Sequence, residues 1–295
     1  MIDFIVNPAS GRGAGQKCAD ECARAMESRG LEFSVHTTEK KGDAAAIARE
    51  RVKNKSRGVA VIGGDGSVQE IAGEMADTGV PLGIVPAGSG NDLVASLYPG
   101  EKGTQNYIEK IINGKTRDID IIKCSVPGFA EPLYSVNIGG VGLDAEIVHK
   151  ADDFKKVFGH FAYIVSTVYN AFTYKPRRIS VISDETESDG ALSLVSACNG
   201  GVYGGGFRIA PDAAVDDGLI TLCVIKPLSK IKILALFPSV LSGKHTSLNE
   251  VAFYKVKRAD VGFDGTARLN LDGNIFDCGG PVAFEIMPGS LKIFS

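Results

Sequence analysis

The chain has 295 residues, of which 44% are hydrophobic and 23% are charged, and its formal net charge at pH 7 is −3. A chain of this length exceeds the usual size of a single hydrophobic core, so we expect two domains. The slight negative charge excludes a general electrostatic attraction to nucleic acid or to anionic lipid, so any contact with a membrane must be local.

Cysteine usage and the N-terminal residues indicate the cellular compartment. The six cysteines are scattered, without the paired spacing of a metal site or the density of a small disulfide-linked domain. The first residues lack the basic flank and long apolar core of a signal peptide, and no apolar run reaches transmembrane length. We therefore expect reduced thiols in a cytoplasmic protein, and any association with the inner face of the membrane would be peripheral.

The first part of the chain alternates short apolar runs with helical segments. Strands that alternate with helices favour right-handed crossovers and a parallel, doubly wound α/β sheet. Ligands of such sheets bind beyond the carboxyl ends of the strands. The expected strands are 2–6, 32–37, 58–62 and 82–85, and the expected helices are 16–29, 43–53, 67–76 and 102–112.

The clearest of these strands leads into a glycine-rich loop. The run from Val59 to Ile62 is apolar without alternation, as in a strand buried on both faces, and Gly63-Gly64-Asp65-Gly66-Ser67 follows it. Glycines permit the tight turn, and backbone N–H groups at a helix N-terminus suit a phosphate. A carboxylate among these donors would repel the phosphate unless a cation such as Mg²⁺ lay between them, so Asp65 indicates a metal–nucleotide site. The alternative is a glycine-rich turn in which Asp65 caps the helix.

Three glycine-rich loops, at 7–15, 63–67 and 86–92, leave the carboxyl ends of expected strands and therefore face the same edge of the sheet. None contains the Gly-Lys-Ser/Thr of a Walker loop, and 11–16 lacks the third glycine of the dinucleotide fingerprint. The pattern predicts a phosphate-binding site of another kind.

The second part of the chain consists mainly of strand-like runs separated by turns, which predicts an antiparallel β-sandwich. A helical segment at 145–174 interrupts these runs and is rich in aromatic residues, including Phe154, Phe158 and Phe161. Aromatic helices are typical of a packed core, whereas the flanking lysines and arginines favour a surface that binds lipid, and both interpretations stay open. The expected strands are 118–124, 133–138, 178–183, 191–199, 219–225, 251–259 and 267–271.

Several motifs occur in the order found in one known family. Together they resemble the diacylglycerol kinase catalytic-domain family, which comprises soluble bacterial-type lipid kinases and is related to the sphingosine and ceramide kinases. The matching residues are Asn7-Pro8 with Ser10-Gly11, the loop at 63–67 with Glu70, Pro86 to Asp92, Asp120, Asn137 to Asp144, Pro211 to Leu219, and Leu271-Asp272-Gly273.

The resemblance implies an ATP- and Mg²⁺-dependent lipid kinase with two domains. The nucleotide-binding α/β domain would span 1–121, the β-sandwich that binds the lipid would span 122–289, and a strand at 290–295 would return to the first domain. The implied partner is a lipid substrate at a membrane surface, with peripheral membrane contact and no nucleic acid. A homodimer is compatible with the resemblance.

The resemblance also implies roles for individual residues. Asp65 and Asp120 would organise the catalytic Mg²⁺, and a second, structural Mg²⁺ would be held by Ala214, Asp217 and Leu219. Without the resemblance, Asp216-Asp217-Gly218 would be interpreted as a hairpin turn. The implied nucleotide contacts are Asn7, Ser10, Gly11, Thr38, Gly63, Gly64, Asp65, Gly66, Ser67, Val68, Gln69 and Ser89.

One departure from the family pattern concerns the general base. The family has Asp-Gly-Glu, with the Glu as base, where this chain has Asp272-Gly273-Asn274. An amide can orient a hydroxyl but cannot take its proton near pH 7, so Asp272 and Asp277 become the substitute candidates. An extended stretch at 272–274 would place Asp272 on the face of Asn274. A catalytically impaired relative that binds lipid or regulates, and a kinase for a soluble acceptor such as NAD, are the alternative functions.

Overall fold

A single large sheet runs through both halves of the molecule and joins them. The computed structural model describes the backbone of residues 1–158 and 162–295, and their side chains except those of residues 152, 155–158, 163, 171 and 235–237. No helix in these ranges is both long and apolar enough to cross a bilayer.

The first half forms an α/β domain in which strands alternate with helices, as the sequence predicts. A short 3-10 helix at Ser10–Arg12 follows the first strand. Strands β1 to β4 are parallel to their neighbours, and β3 is buried along its whole length. The elements are β1 (Ile2–Val6), α1 (Ala14–Glu27), β2 (Phe33–Thr37), α2 (Asp43–Lys53), β3 (Gly58–Gly63), α3 (Asp65–Met75), β4 (Leu82–Pro86), α4 (Asp92–Leu97) and α5 (Thr104–Asn113).

The second half is mainly antiparallel, and its described residues include three further α-helices and a short 3-10 helix at Lys244–Ser247. Its strands are β5 (Thr116–Ser125), β6 (Leu133–Ser135), β7 (Ile138–Gly142), β8 (Arg177–Ser183), β9 (Glu187–Leu192), β10 (Leu194–Cys198), β11 (Ile220–Ile225), β12 (Val251–Val256), β13 (Arg258–Phe263), β14 (Thr266–Leu271), β15 (Asn274–Gly279) and β16 (Val282–Phe294). Its helices are α6 (Leu143–Phe158), α7 (Ala162–Thr173) and α8 (Lys230–Leu241).

The large sheet has the strand order β2-β1-β3-β4-β16-β13-β8-β9, and β5 and β6 branch from β16. The long strand β16 is the junction. Near its C-terminal end, β16 pairs with β4 in parallel at Ile293 and Leu82. It also pairs in antiparallel fashion with β5 along most of its length and with β13 at its start. The last residues of the chain therefore lie against the sheet of the first domain.

A second, antiparallel sheet has the order β12-β11-β10-β7-β14-β15 and faces the large sheet. Buried side chains from both sheets, such as Val181 and Phe284 from one and Val141 and Leu269 from the other, form the core between them. On its outer face, the second sheet is covered by α6 and α8, where Leu143 contributes to another core. The fold prediction, an α/β domain followed by an antiparallel sandwich, is confirmed.

Two helical assignments differ from the sequence prediction. The single helix expected at 145–174 is two helices, α6 and α7, and α8 was not expected. The side chains of Phe158 and Phe161, named as candidates for lipid contact, lie outside the described residues. The third candidate, Phe154, packs edge-to-face against Tyr169 of α7, with ring centroids 5.9 Å apart.

Candidate functional site

A cleft of about 850 Å³ lies where the two domains meet. Its first wall consists of the loops that leave β1, β2, β3 and β4, all at the carboxyl ends of parallel strands. Its second wall consists of the β14–β15 turn, the start of β7, and the loop around Tyr203 and Gly204. The three glycine-rich loops thus meet at one sheet edge, as their positions in the sequence predict.

Glycine allows the loops after β3 and β4 to touch. A Cβ on Gly88 would lie 2.5 Å from the Cα of Gly64, so no larger residue fits there. The Asn91 carboxamide closes the second loop, because it accepts from Gly88 N (2.9 Å) and donates to Gly88 O (3.0 Å). The loop after β1 is attached to the loop after β4 by Ser10 Oγ, which donates to Ala87 O at 3.1 Å. These contacts hold the three glycine-rich loops together at one edge of the sheet.

The predicted nucleotide contacts divide into two groups. Three of them lie behind the cleft: Gly63 is buried in β3, Val68 is buried in α3, and the Gln69 side chain turns away to donate to Tyr134 O at 2.8 Å. The others line the cleft, and they are Asn7, Ser10, Gly11, Thr38, Gly64, Asp65, Gly66, Ser67 and Ser89.

Lys40 and Lys41 also line the cleft, although sequence reasoning did not select them. They follow β2, so the rule that ligands bind at carboxyl ends could have identified them. Both are exposed, and Lys41 Nζ lies 5.4 Å from the centroid of the Phe276 ring. Two ammonium groups beside the glycine-rich loops suit a polyphosphate.

Asp65 stands at the start of α3 but does not cap it, since its Oδ1 accepts from Leu93 N at 3.1 Å. Its neighbour across the loop is Asp92, whose Oδ1 accepts from Gly205 N of the second domain at 2.9 Å. Burial raises the pKa of Asp65, and burial together with the negative charge of Asp65 raises the pKa of Asp92 to about 7. The capping interpretation of Asp65 is therefore wrong, and the structure adds Asp92 to the site.

These two carboxylates fit a Mg²⁺ ion. The Oδ2 atoms of Asp65 and Asp92 lie 3.1 and 3.2 Å from the position that a Cβ on Gly90 would occupy, so they converge on a space that only glycine leaves open. Mg²⁺ is commonly held by one or two carboxylates together with substrate phosphates and water. Within the described ranges no group of three or more His, Cys, Asp or Glu residues forms a metal cage, so an ion here would need such further ligands.

The structure does not bring Asp120 to Asp65. Asp120 is buried and accepts from Gly218 N and Gly289 N, each at 2.7 Å. It is not among the residues that line the cleft. Its contacts instead connect β5 to the loop before β11 and to Gly289 within β16.

Asp272 and Gly273 form the two-residue turn between β14 and β15, with positive φ angles of 50° and 89°. This is the conformation that Asp-Gly favours in tight hairpins, so the stretch is not extended as the shared-face argument required. The Asp272 carboxylate is buried and accepts from Ser135 Oγ and from the backbone N–H groups of Val136, Asn137 and Ile138, at 2.7 to 3.0 Å.

Burial raises the pKa of Asp272 to about 6, while its four donors oppose that shift. Because both carboxylate oxygens are occupied by these donors, its geometry favours a structural role that holds the β14–β15 turn against β7. Asp272 thus positions its neighbour Asn274, and its contacts do not suit the substitute base proposed from the sequence.

Asn274 lies in the cleft, and its Nδ2 donates to Gln69 Oε1 at 2.8 Å. Asp277 does not reach the cleft. It is exposed, three residues further along the continuous strand β15, and therefore points to the opposite face from Asn274. The turn toward the cleft that Asp277 would need is absent, because β15 continues to Gly279.

The proposed structural Mg²⁺ site around Asp217 already contains a cation from the protein. Asp217 Oδ2 accepts from Lys255 Nζ at 2.6 Å, and Asp217 Oδ1 accepts from Leu219 N at 3.1 Å. Lys255 Nζ also donates to Asp212 O at 3.2 Å. With both carboxylate oxygens engaged, Ala214, Asp217 and Leu219 do not fit a metal ion as they are arranged, and we derive no role for one there.

Two family models together match almost the whole chain. The family model for the diacylglycerol kinase catalytic domain matches residues 2–124, and the model for the YegS C-terminal NAD kinase beta sandwich-like domain matches residues 137–295. The chain belongs to this lipid kinase family. The two matches together cover the α/β domain and the sandwich, in the order that the sequence motifs indicated.

Two curated members of the family resemble the chain over nearly its whole length. A diacylglycerol kinase of Mycobacterium tuberculosis is 28% identical over 99% of this chain and 94% of its own. A diacylglycerol kinase of Bacillus subtilis is 27% identical over 92% of this chain and 88% of its own. A crystal structure of a diacylglycerol kinase from Bacillus anthracis has a TM-score of 0.73 at 19% identity, covers 99% of this chain and 96% of that one, and supports the fold.

Proposed function

We propose that this chain is an ATP- and Mg²⁺-dependent kinase that phosphorylates a hydroxyl of diacylglycerol or of a related membrane lipid. The observation that carries the proposal is that the polar cleft shares a wall with an apolar pocket. Val148, Tyr203 and Gly204 line both spaces. A substrate with a polar hydroxyl and hydrocarbon chains would occupy both spaces. A soluble acceptor such as NAD has no hydrocarbon chain to place in the apolar pocket.

The apolar pocket has a volume of about 100 Å³ and lies between the second sheet and helices α6, α7 and α8. Leu143, Ile147, Leu194 and Ile233 are among the side chains that line it. This volume accommodates only the first methylenes of an acyl chain, so the remainder would stay between the helices or in the bilayer. The pocket therefore suits a lipid that is held at a membrane surface during the reaction.

The cleft residues supply the parts that phosphoryl transfer requires, namely positioning and charge stabilisation. Asn7, Ser10 and Ser67, together with the loop N–H groups, would bind the nucleotide phosphates. Asp65 and Asp92 would hold Mg²⁺. When bound, that ion would neutralise charge on the β- and γ-phosphates. On the opposite wall, Asn274 would receive the hydroxyl of the lipid.

Helices α7 and α8 expose the apolar side chains that could bind a membrane. Phe172 of α7 is 55% exposed and Ile231 of α8 is 80% exposed. Lys230 Nζ lies 6.0 Å from the centroid of the Phe172 ring, so a cation accompanies the apolar surface. Apolar side chains with adjacent lysines are typical of peripheral binding to anionic lipid. Since the same helices enclose the apolar pocket, this surface would bring the membrane to the pocket.

Incubation with labelled ATP, Mg²⁺ and a total lipid extract, followed by identification of the labelled lipid, tests the proposal. We expect a phosphorylated diacylglycerol-like lipid, and no labelling by an Asp65→Asn variant that retains its fold. ATP binding without any labelled lipid would instead favour the catalytically impaired relative. Labelling of a soluble acceptor alone would contradict the assignment of a lipid substrate.

A further inference from the structure

A chain of two side-chain amides connects the backbone of β6 to the cleft. Gln69 of α3 is 8% exposed, and its Nε2 donates to the backbone carbonyl of Tyr134 at 2.8 Å. Its Oε1 accepts from Nδ2 of Asn274, also at 2.8 Å. We call Tyr134 O, Gln69 and Asn274 the amide relay. The relay runs from β6 through Gln69 of the first domain to Asn274 at the start of β15.

The carbonyl of Tyr134 fixes the orientation of both amides. A backbone carbonyl can only accept, so Gln69 must present its NH₂ to Tyr134 and its oxygen to Asn274. Asn274 must then present its NH₂ to Gln69, because two amide oxygens would repel each other. The group that Asn274 has left for a ligand is therefore Oδ1, and no described residue donates to it.

We infer that the amide relay orients Asn274 so that its Oδ1 accepts a hydrogen bond from the substrate hydroxyl. This inference rests on the proposed function. Asn274 would contact the substrate and act as a catalytic residue, and Gln69 would be a positioning residue. The hydrogen bond directs an oxygen lone pair of the hydroxyl at the γ-phosphorus. The new P–O bond forms as the bond from phosphorus to the ADP oxygen breaks, and the proton then passes to water, since an amide does not take it.

The orientation of Asn274 can be measured without turnover. In ¹⁵N-labelled protein, the relay should protect one carboxamide proton of Asn274 from solvent exchange. Gln69→Met keeps the size of the side chain but removes both hydrogen bonds, so exchange should accelerate by about tenfold, as expected for the loss of one hydrogen bond. The buried carboxamide of Asn170, which donates to Ser166 O, serves as the unchanged reference. Equal exchange of Asn274 in both proteins would overturn the inference.

Kinetics separate positioning from a structural effect. In the wild-type background, Gln69→Met should lower kcat for the lipid by about three- to tenfold, the value of one neutral hydrogen bond, and leave the KM for ATP unchanged. Asn274→Asp presents an oxygen to the substrate in either rotamer and sets its other oxygen against Gln69 Oε1, so in that background Gln69→Met should no longer lower kcat. Asn274→Asp should also add an acidic limb to the profile of kcat against pH.

An equal loss in both backgrounds would show that Gln69 is merely structural and would overturn its positioning role. A wild-type protein that phosphorylates no lipid would contradict the proposed function, while the exchange measurement would still decide the orientation of Asn274. If Asn274→Asp does not alter the pH profile of an active enzyme, position 274 does not contact the substrate hydroxyl.

Discussion

The carboxylates of Asp65 and Asp92 approach the same point beside Gly90, with their Oδ2 atoms 3.1 and 3.2 Å from where a Cβ of that glycine would be. Two half-buried like charges so placed favour either a shared proton or a cation between them. Burial raises the pKa of Asp65, and burial together with the negative charge of Asp65 raises the pKa of Asp92. Beside loops that are proposed to bind a nucleotide, Mg²⁺ is the cation that best suits the pair.

We expect Mg²⁺ binding to release a proton and to weaken as the pH falls below about 7, because Asp92, with a pKa of about 7, must lose its proton. Titration calorimetry in two buffers of different ionisation enthalpy, at about pH 6 and about pH 8, measures the proton release. Proton release that is larger at about pH 8 than at about pH 6 would contradict the assignment.

The same pair makes folding depend on pH when no cation is bound. The folded pKa of Asp92 is about 7, above an unfolded value of about 3.9, so the folded state holds an extra proton between these values. Stability should therefore fall as the pH rises through that window. Asp92→Asn should reduce this fall relative to wild type. Since Asp144 and Asp272 have raised pKa values as well, the comparison of the two proteins is the relevant measurement.

Gly90→Ala should lower lipid phosphorylation by about tenfold, because a Cβ at 3.1 Å from Asp65 Oδ2 forces the carboxylates apart and small displacements of catalytic groups are costly. Gly190→Ala is the matched control, since a Cβ there meets nothing within 4 Å. Thermal unfolding should be similar for both variants. Equal activity of the two would show that the space beside Gly90 is not used.

The architecture could be predicted because its signals are local. The uninterrupted apolar run of β3 and the glycines after it specify a buried strand and a turn without reference to the remainder of the chain. Helix α8 was missed, since it is apolar with little polar alternation and contains Pro238, which usually breaks helices. The side chain of its Ile233 is buried in the core beside the second sheet, and no local pattern reveals that contact.

Side-chain partners at the site were harder to predict. In the sequence, Asp92 is simply an acidic residue in the first turn of α4. It becomes a neighbour of Asp65 only because the start of α3 contacts the start of α4. Asp120 matched a motif, yet the backbone groups that it binds lie at Gly218 and Gly289, far along the chain. Such contacts depend on tertiary packing and not on local periodicity.

The double variant Phe172→Ser/Ile231→Ser should weaken flotation with anionic vesicles, since it removes apolar side chains that are 55% and 80% exposed. Such exposed positions contribute little to stability, so the fold should persist. Ile182→Ser is the control, because Ile182 is 54% exposed on β8, outside the α7–α8 surface. Equal flotation of all three proteins would rule out this surface as the membrane contact.

Chelation should leave the thermal stability of the protein without nucleotide unchanged, since the ammonium of Lys255 neutralises Asp217. Lys255→Met should lower stability by at most about 1 kcal/mol, as for a partly exposed ion pair. Calorimetry with and without EDTA measures both effects. A large loss of wild-type stability on chelation would indicate that a metal ion displaces Lys255 from Asp217.

The most direct test of the account is the transfer of labelled phosphate from ATP to diacylglycerol in mixed vesicles, measured side by side for wild type and Asp65→Asn. An Asn at position 65 keeps an oxygen that can accept from Leu93 N, so the fold should persist, whereas the lost charge would remove an anchor of the proposed ion. We expect Mg²⁺-dependent transfer by wild type and a folded Asp65→Asn protein with at least about 10²-fold lower turnover. Unchanged Mg²⁺-dependent turnover in Asp65→Asn would contradict the assignment of this cleft as the catalytic site.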